Sequence, residues 1–347
     1  GKELLKRAEV ANDHEGTIDP NNRTTTASEG FHYGYREAIF RLNINAASLD
    51  FANVETNLTG GFGTVTITDT LPAGWEFVPF TGGANFLIYS ANNTYVAATP
   101  ALTPSTITGF TGVVGTSSAT FIFTNLNQPY VILVKARPTD ATFDGYLVGG
   151  TAITRTNGVS LTTANWPTGA SASQNVSLNP KIIEKSIDAA QQMNGELTWK
   201  LDYFPYGRPL ANSFQDVLPE GIDLRLDSGG AIIWEQGGVR NITVHELNPN
   251  ANNSGGYVLG VELDMSVIQA NTTYNSETRT LSFTFPDNTK GYRLSYVTDI
   301  TGLPGTVTNQ ASLIGADGDG TETEESFTIT EQHGSAMMSR SGFVALT

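Results

Sequence analysis

Three residue types recur in the same order in both halves of the chain, and together they can form an amide cross-link. Each half places a lysine in its first predicted strand, an aspartate in a middle strand and an asparagine in its last strand. The sets are Lys6, Asp69 and Asn157, then Lys185, Asp216 and Asn309. An apolar interior lowers the pKa of a lysine and raises that of an aspartate. The neutral amine can then attack the asparagine carbonyl while the carboxylic acid polarises it, and ammonia leaves.

The asparagine of the second half lies in the segment TVTNQASLIG, Thr306 to Gly315. Alternation along a strand puts Asn309 on the same face as Val307, Ala311 and Leu313. If that face is the core, an amide without a partner costs about 1–3 kcal/mol. We therefore expect a specific partner for Asn309.

Internal repetition pairs the two sets. VTITDTLPAGWEFV aligns with NSFQDVLPEGIDLRL through a shared Asp, Leu-Pro and Gly, which pairs Asp69 with Asp216. REAIFRLNIN aligns with GELTWKLDYF, and LLKRAEV aligns with IIEKSID, which pairs Lys6 with Lys185. The chain is thus predicted to be a tandem of one module.

The position of the first asparagine has two interpretations. Aligning TNGVSLTTANWPTGASASQNVSLN with TNQASLIGADGDGTETEESFTITE as strand, turn and strand pairs Asn157 with Asn309. In the alternative alignment, GYLVGGTAITR is the last strand of the first module and Gly150 aligns with Asn309. Asn157-Gly158 then forms a hairpin turn. We predict domains at residues 1–179 and 180–334, because Pro180 cannot extend a central ladder, followed by a latch or linker at residues 335–347.

Composition limits the fold and the partners. Alternating runs bounded by turn residues recur throughout the 347 residues and helical periodicity is nearly absent, which predicts two β-sandwiches. The absence of cysteine excludes disulfides and thiolate chemistry. A net charge of −15 disfavours nucleic acid and anionic membrane surfaces as partners. We expect no cofactor.

Two weaker signals have ordinary structural explanations. The acidic turn GADGDGTETEE, with Asp317 to Glu324, could meet a hard cation, but it lacks a complete calcium loop, and we predict no metal site. The segment DYFPYGRP carries Tyr203, Tyr206 and Arg208, residue types that are enriched in binding hot spots. These three are candidate ligand-binding residues, unless the aromatic rings simply wall the core.

The motifs LLKRAEV, VTITDTLPAG, IIEKSID, FQDVLPEG and YRLSYVTDITGLPGTVTNQASL resemble a known family. The family is that of Gram-positive cell-wall-anchored adhesins of the collagen- and fibrinogen-binding (MSCRAMM) type, which have isopeptide-forming immunoglobulin-like domains. The resemblance implies an all-β chain of two tandem immunoglobulin-like (DE-variant) domains. It also implies that Lys185 joins Asn309 with help from Asp216, and that Lys6 joins Asn157 with help from Asp69.

The resemblance further implies an extracellular adhesin that binds a host extracellular-matrix protein and is anchored to the cell wall through a region beyond this chain. We expect a monomer that inserts in no membrane and performs no enzymatic chemistry beyond its own cross-linking. Ser335 to Thr347 is a candidate latch that closes over the ligand as an added strand. The alternative is a non-binding pilus or stalk subunit, although residues 157–180 lack the lysine that a backbone pilin needs. A carbohydrate-active enzyme would need an exposed carboxylate pair that no segment singles out.

Overall fold

The computed structural model describes residues 1–6, 18–51, 63–91, 101–149, 152–187, 195–249, 257–302, 304–315 and 320–329. The chain divides into two compact units. The first comprises residues 1–181 and 248–258, and the second comprises residues 182–247 and 259–347. Both consist mainly of antiparallel strands, which confirms the prediction of an all-β sandwich fold.

The first unit contains thirteen strands among its described residues. They are β1 (Lys2–Leu5), β2 (Arg23–Thr24), β3 (Phe31–His32), β4 (Glu37–Ile44), β5 (Val65–Thr70), β6 (Trp75–Val78), β7 (Leu87–Ala91), β8 (Leu102–Pro104), β9 (Phe110–Val114), β10 (Ser118–Phe123), β11 (Tyr130–Pro138), β12 (Ile153–Thr163) and β13 (Trp166–Leu178). A 3₁₀ turn covers Ala27–Glu29, and helix α1 covers Asp140–Gly149.

Two sheets form this unit. One has the order β2-β1-β4-β11-β7-β8, with β3 on β4 and β6 on β11, and the other has the order β13-β12-β5-β10-β9. The central strands β4 and β11 are buried almost throughout. Their outer face is covered as well, since Ile39, Val131 and Leu133 pack in a cluster with Leu5 and Phe80. Burial on both faces explains why β11 begins with the continuous apolar run YVILV.

The second unit contains the remaining strands. They are β14 (Ile183–Ile187), β15 (Glu196–Tyr203), β16 (Ser213–Val217), β17 (Ile222–Leu224), β18 (Glu235–Gln236), β19 (Val239–Arg240), β20 (Ile242–Pro249), β21 (Tyr257–Glu262), β22 (Thr272–Asn275), β23 (Thr280–Thr284), β24 (Gly291–Ile300), β25 (Gly305–Ile314) and β26 (Glu322–Ile329). Helix α2 covers Met265–Asn271.

The sheets of the second unit repeat those of the first. The order β14-β15-β24 matches β1-β4-β11, and β26-β25-β16-β23-β22 matches β13-β12-β5-β10-β9. The equivalence extends to single residues, because Leu42 of β4 and Leu201 of β15 occupy matching positions in the aligned segments. Leu42 pairs with Lys2 and Leu201 pairs with Lys185. The internal repeat is therefore a repeat of strand register.

Two features of the sequence interpretation need correction. Both Asn157 and Gly158 lie inside β12, which pairs with β13, so the alternative hairpin turn at these residues is wrong. Gly145–Gly149 belongs to α1 rather than to a strand, and Gly150 lies outside the described residues. The candidate latch Ser335 to Thr347 also lies outside them, as do Asp317 and Asp319. Within the described ranges, no helix is long and apolar enough to cross a membrane.

Candidate functional site

Lys185, Asp216 and Asn309 lie together between the two sheets of the second unit, all buried. They come from β14, β16 and β25 respectively. Asp216 pairs with Ala311 across the sheet, and Asn309 precedes Ala311 by two residues. Since side chains alternate along a strand, Asn309 faces the same side as Asp216. Register therefore places the amide beside the carboxyl group.

A tyrosine hydroxyl connects all three side chains. Lys185 Nζ donates to Asp216 Oδ2 and, at 3.3 Å, to Tyr296 Oη. Tyr296 Oη donates to Asp216 Oδ2 at 2.6 Å, and Asn309 Nδ2 donates to Tyr296 Oη at 2.9 Å. The Lys185 amine also lies 5.1 Å from the ring centroid of Trp199. Tyr296 is the partner that the sequence required for Asn309.

Burial sets the protonation of this cluster. Desolvation lowers the pKa of Lys185 from its usual 10.5, although the attraction of Asp216 opposes the change. Desolvation raises the pKa of Asp216, against the opposing effects of Lys185, Tyr296 and Asn309. Both directions favour a neutral amine beside a neutral acid, because a low-dielectric interior disfavours charge. The amine can therefore act as a nucleophile.

The first unit holds an equivalent cluster built from Lys2, Asp69 and Asn157, all buried. Asp69 pairs with Val159 of β12, and Asn157 again precedes that partner by two residues. Lys2 Nζ donates to Asp69 Oδ1 at 2.5 Å and to the Gly158 carbonyl at 3.4 Å. The register of aspartate and asparagine is thus the same in both units.

The lysine predicted for the first cluster was wrong. The Lys6 side chain is 42% exposed and lies 4.0 Å from Glu29, whereas the Lys2 side chain is 0% exposed and contacts Asp69. Both residues fall on one face of the chain by alternation, but β1 ends at Leu5, so Lys6 lies beyond the strand. Lys2, not Lys6, occupies the position of Lys185.

Electrostatics in the first cluster follow the same rule. Burial lowers the pKa of Lys2 from 10.5 to about 8, with Asp69 opposing the change. Burial raises the pKa of Asp69, and Lys2 and the neighbouring Asn157 amide oppose it. The Lys2 amine lies 5.1 Å from the ring centroid of Phe40, the counterpart of Trp199. The uncharged amine is therefore more accessible in Lys2 than in an exposed lysine.

The asparagine carbonyl oxygens in the two clusters have no hydrogen bond of ordinary geometry in the described part of the chain. This holds for Oδ1 of Asn309 and Oδ1 of Asn157, and also for one oxygen each of Asp216 and Asp69. Strand register places each aspartate beside its asparagine, so a protonated aspartate is the group of each cluster that can donate to the amide carbonyl during a reaction. An acid donating to an amide carbonyl is the arrangement that activates the carbonyl carbon toward an amine.

The two tyrosines of the aromatic segment lie in the core rather than at the surface. Tyr203 and Tyr206 are buried, and the Tyr203 hydroxyl donates to the Asn288 carbonyl at 3.0 Å and accepts from the Ala211 N–H at 3.0 Å. Arg208 is half-buried in the following turn. These positions favour the interpretation that the rings wall the core. No group of three or more potential metal ligands occurs among the described residues.

Comparison with known proteins gives fold-level likeness only. No family model matches the chain, and no curated protein is similar to it in sequence. The C-terminal domain of the Streptococcus pyogenes antigen I/II-family protein AspA aligns at 11% identity and TM-score 0.34, covering 94% of this chain and 97% of that one. The collagen-binding domain from a Staphylococcus aureus adhesin aligns at 13% identity and TM-score 0.28, covering 42% and 95%.

A third solved structure is the collagen binding domain of the Erysipelothrix rhusiopathiae surface protein RspB. It aligns at 13% identity and TM-score 0.27, covering 86% of each chain. At such identities and TM-scores below 0.5, these likenesses carry no argument about function.

Proposed function

We propose that this chain is part of a bacterial surface adhesin in which each β unit is closed by one self-formed Lys–Asn isopeptide bond. The bonds are Lys185–Asn309 and Lys2–Asn157, the latter replacing the bond predicted from Lys6. The observation that carries the proposal is the burial of Lys, Asp and Asn together, twice, in one strand register. Burying a lysine and an aspartate costs desolvation free energy. The occurrence of this pair in both units therefore favours a functional role.

The reaction follows from the geometry of each cluster. The neutral lysine amine attacks the Cγ carbon of the asparagine, and the protonated aspartate donates to Oδ1 as that oxygen gains charge. The tetrahedral intermediate collapses by breaking the bond from Cγ to Nδ2. A secondary amide and ammonia are the products, and the aspartate is regenerated.

Such a bond suits an extracellular chain without cysteine. It links the first strand of a unit to the penultimate strand, β12 or β25, rather than to the last strand that the sequence predicted. Most of the unit therefore lies within one closed loop. In the chain-entropy model a disulfide that closes about 100 residues stabilises by about 4.7 kcal/mol. An amide bond has the same topological effect and resists reductants.

The mass of the intact protein tests the cross-links. Under denaturing conditions the full chain should weigh less than its sequence by the mass of two ammonia molecules. Lys2→Met should restore one ammonia, and Lys6→Met, the matched control, should restore none. An intact chain with the full unmodified mass would exclude both bonds.

The ligand class of the adhesin is part of the same proposal. Resemblance in the strand motifs points to a host extracellular-matrix protein of the collagen or fibrinogen class. Immobilised collagens, fibrinogen and other matrix proteins, screened by surface plasmon resonance, provide the test. Saturable binding to one of them supports an adhesin, and no binding across the panel contradicts it.

A non-binding stalk or pilus subunit is the second candidate. It would use the same cross-links for mechanical strength, and the burial of Tyr203 and Tyr206 favours it over a binding role for that segment. The two candidates differ in the binding screen but not in the mass measurement. A chain that is cross-linked and binds no matrix protein would be a stalk.

A further inference from the structure

Tyr296 is a fully buried residue of β24, and it has no role in the cross-linking reaction of lysine, aspartate and asparagine described above. Its hydroxyl lies 2.6 Å from Asp216 Oδ2, 2.9 Å from Asn309 Nδ2 and 3.3 Å from Lys185 Nζ. A hydroxyl has one proton to donate and two lone pairs to accept with. Each of these capacities is directed at a group that takes part in the reaction.

The reaction needs a proton to move between two nitrogens. After attack, the Lys185 nitrogen carries one proton too many, whereas Nδ2 of Asn309 must gain one to leave as ammonia. Asp216 Oδ2 accepts a hydrogen bond from Lys185 and can take the first proton. The same oxygen contacts Tyr296, whose other contact is the leaving nitrogen.

We propose that the Tyr296 hydroxyl relays this proton from Asp216 to Nδ2 of Asn309 during isopeptide formation. Asp216 Oδ2 takes the proton from the Lys185 nitrogen and passes it to Tyr296 as Tyr296 gives its own to Nδ2. The bond from Cγ to Nδ2 then breaks and ammonia leaves. The carbonyl re-forms and returns to Asp216 Oδ1 the proton that activated it, so every side chain except the joined pair ends as it began.

The hydrogen bond between Tyr296 and Asn309 reverses during this step. In the resting amide, the Nδ2 lone pair is delocalised, so Nδ2 can only donate, as the structure records. In the tetrahedral intermediate Nδ2 is an amine with a free lone pair and can accept. Burial and the neighbouring Asp216 raise the pKa of Tyr296 well above its usual value, so the hydroxyl holds its proton until the reaction begins.

The first unit supplies a natural comparison because it has no tyrosine at this position. In the second unit Tyr296 pairs with Trp199. In the first unit Phe40, the counterpart of Trp199, pairs with Val134, so Val134 is the counterpart of Tyr296. Nδ2 of Asn157 has no hydrogen bond of ordinary geometry in the described part of the chain. The relay is therefore specific to the Lys185–Asn309 bond, and the inference rests on the cross-linking proposed above.

Timed cross-linking of the full-length chain tests the relay. The chain is made by cell-free synthesis, samples are unfolded at intervals in denaturant, and each bond is quantified by mass spectrometry of its branched peptide. Tyr296→Phe should slow the Lys185–Asn309 bond by about 100-fold or more, the usual size of a general acid–base contribution. The Lys2–Asn157 bond in the same molecules should form at its normal rate.

Two controls separate a relay from a structural role. Tyr292→Phe removes another buried hydroxyl of β24, one that accepts a hydrogen bond from the Asp287 N–H at 3.3 Å, and it should leave both rates unchanged. In heavy water, the Lys185–Asn309 bond should slow more than the Lys2–Asn157 bond, and Tyr296→Phe should abolish that excess.

Three results would overturn the relay. The first is a wild-type rate of Lys185–Asn309 formation in Tyr296→Phe. The second is equal slowing of both bonds by this substitution. The third is slowing of the Lys185–Asn309 bond by Tyr292→Phe to the same extent as by Tyr296→Phe. A wild-type chain with its full unmodified mass would remove the cross-linking proposal and the relay together. A cross-linked wild-type chain with an unaffected Tyr296→Phe variant would remove the relay alone.

Discussion

The two buried clusters share their register and differ in how completely their polar atoms are bonded. In the second unit, Asn309 Nδ2 donates to Tyr296, and that hydroxyl also contacts Asp216 and Lys185. In the first unit Val134 takes the tyrosine position, and neither polar atom of Asn157 has a partner of ordinary geometry within the described residues. Strand pairing alone therefore assembles lysine, aspartate and asparagine, whereas a fourth side chain decides how the amide is held.

This difference has an energetic meaning before any bond forms. Among the described residues of the first unit the Asn157 amide has only its interaction with Asp69, and a buried amide group that lacks a partner costs about 1–3 kcal/mol. Joining Asn157 to Lys2 removes one primary amide and one buried amine, so the cross-link relieves more unfavourable burial in the first unit than in the second. The second unit instead gains a defined orientation of the leaving nitrogen.

The largest expected effect is the complete loss of one bond by removing one acid. Asp216→Ala should abolish the Lys185–Asn309 bond and leave Lys2–Asn157 intact, because the carbonyl loses its polarising donor. Asp69→Ala should do the reverse. The intact mass of each variant measures the loss. After the mass change of the substitution itself is subtracted, each variant should be heavier than the wild type by the mass of one ammonia. A variant that still loses two ammonia molecules would mean that another group activates the carbonyl.

The next effect is on stability. Asn309→Ala should lower the free energy of unfolding of the second unit by about 5 kcal/mol, because the unfolded chain is no longer closed into a loop of on the order of 100 residues. Gln310→Ala changes the neighbouring exposed residue and should alter stability by less than about 0.5 kcal/mol. Calorimetry of both variants, with and without reductant, gives the comparison. Equal melting of the two would reduce Asn309 to an ordinary core amide.

The free energy of unfolding of the first unit should depend on pH, with an effect of intermediate size, in a variant that cannot cross-link the Lys2 amine. In Asn157→Ala, folded Lys2 loses its proton near pH 8, whereas the unfolded chain holds it to about 10.5. The unfolded state therefore binds more protons in this window, and the free energy of unfolding should rise from pH 8 to 10.5 by about 3 kcal/mol.

The matched variant for the pH effect is Lys2→Met combined with Asn157→Ala, which lacks the titrating group. Denaturant unfolding of the first unit at several pH values should show the free energy of unfolding rising between pH 8 and 10.5 in Asn157→Ala but not in the double variant. The difference between the two curves should therefore change within this window and stay constant below it. Parallel pH dependence in the two variants would contradict a buried, readily deprotonated Lys2.

The smallest expected effect concerns the residue that the repeat misassigned. Lys6→Ala should change neither the mass deficit nor, beyond about 0.5 kcal/mol, the stability, because its side chain is partly exposed and its contact with Glu29 is a surface ion pair. Lys2→Ala should remove the first bond. If Lys6→Ala also removed a bond, the register of β1 would differ from the one described.

The sequence predicted most of the fold, all three members of the second cluster and two of the three members of the first. Alternation and the shared Asp-x-Leu-Pro motif were enough to predict β-strands and to align Asp69 with Asp216, because local pattern and register repeat together. The first lysine could not be chosen from alternation, since Lys2 and Lys6 are on one face of the same segment. Pairing of β1 with β4 decides it: Lys2 lies opposite Leu42, the counterpart of the Leu201 that faces Lys185.

Other features depend on contacts that one sequence does not encode visibly. Tyr296 is one of several aromatic residues with strand alternation, and only the packing of β24 against β16 and β25 brings its hydroxyl to the cluster. Residue type made Tyr203 a candidate for ligand binding or for the core wall, and its strand places the ring in the core. In both cases tertiary packing, rather than local pattern, determines the role.

The most direct test of the account is tandem mass spectrometry of a protease digest of the full chain. The account predicts two branched peptides, one joining Lys2 to Asn157 and one joining Lys185 to Asn309, each lighter than its two linear parts by one ammonia. Recovery of these four residues only in linear, unmodified peptides would contradict it.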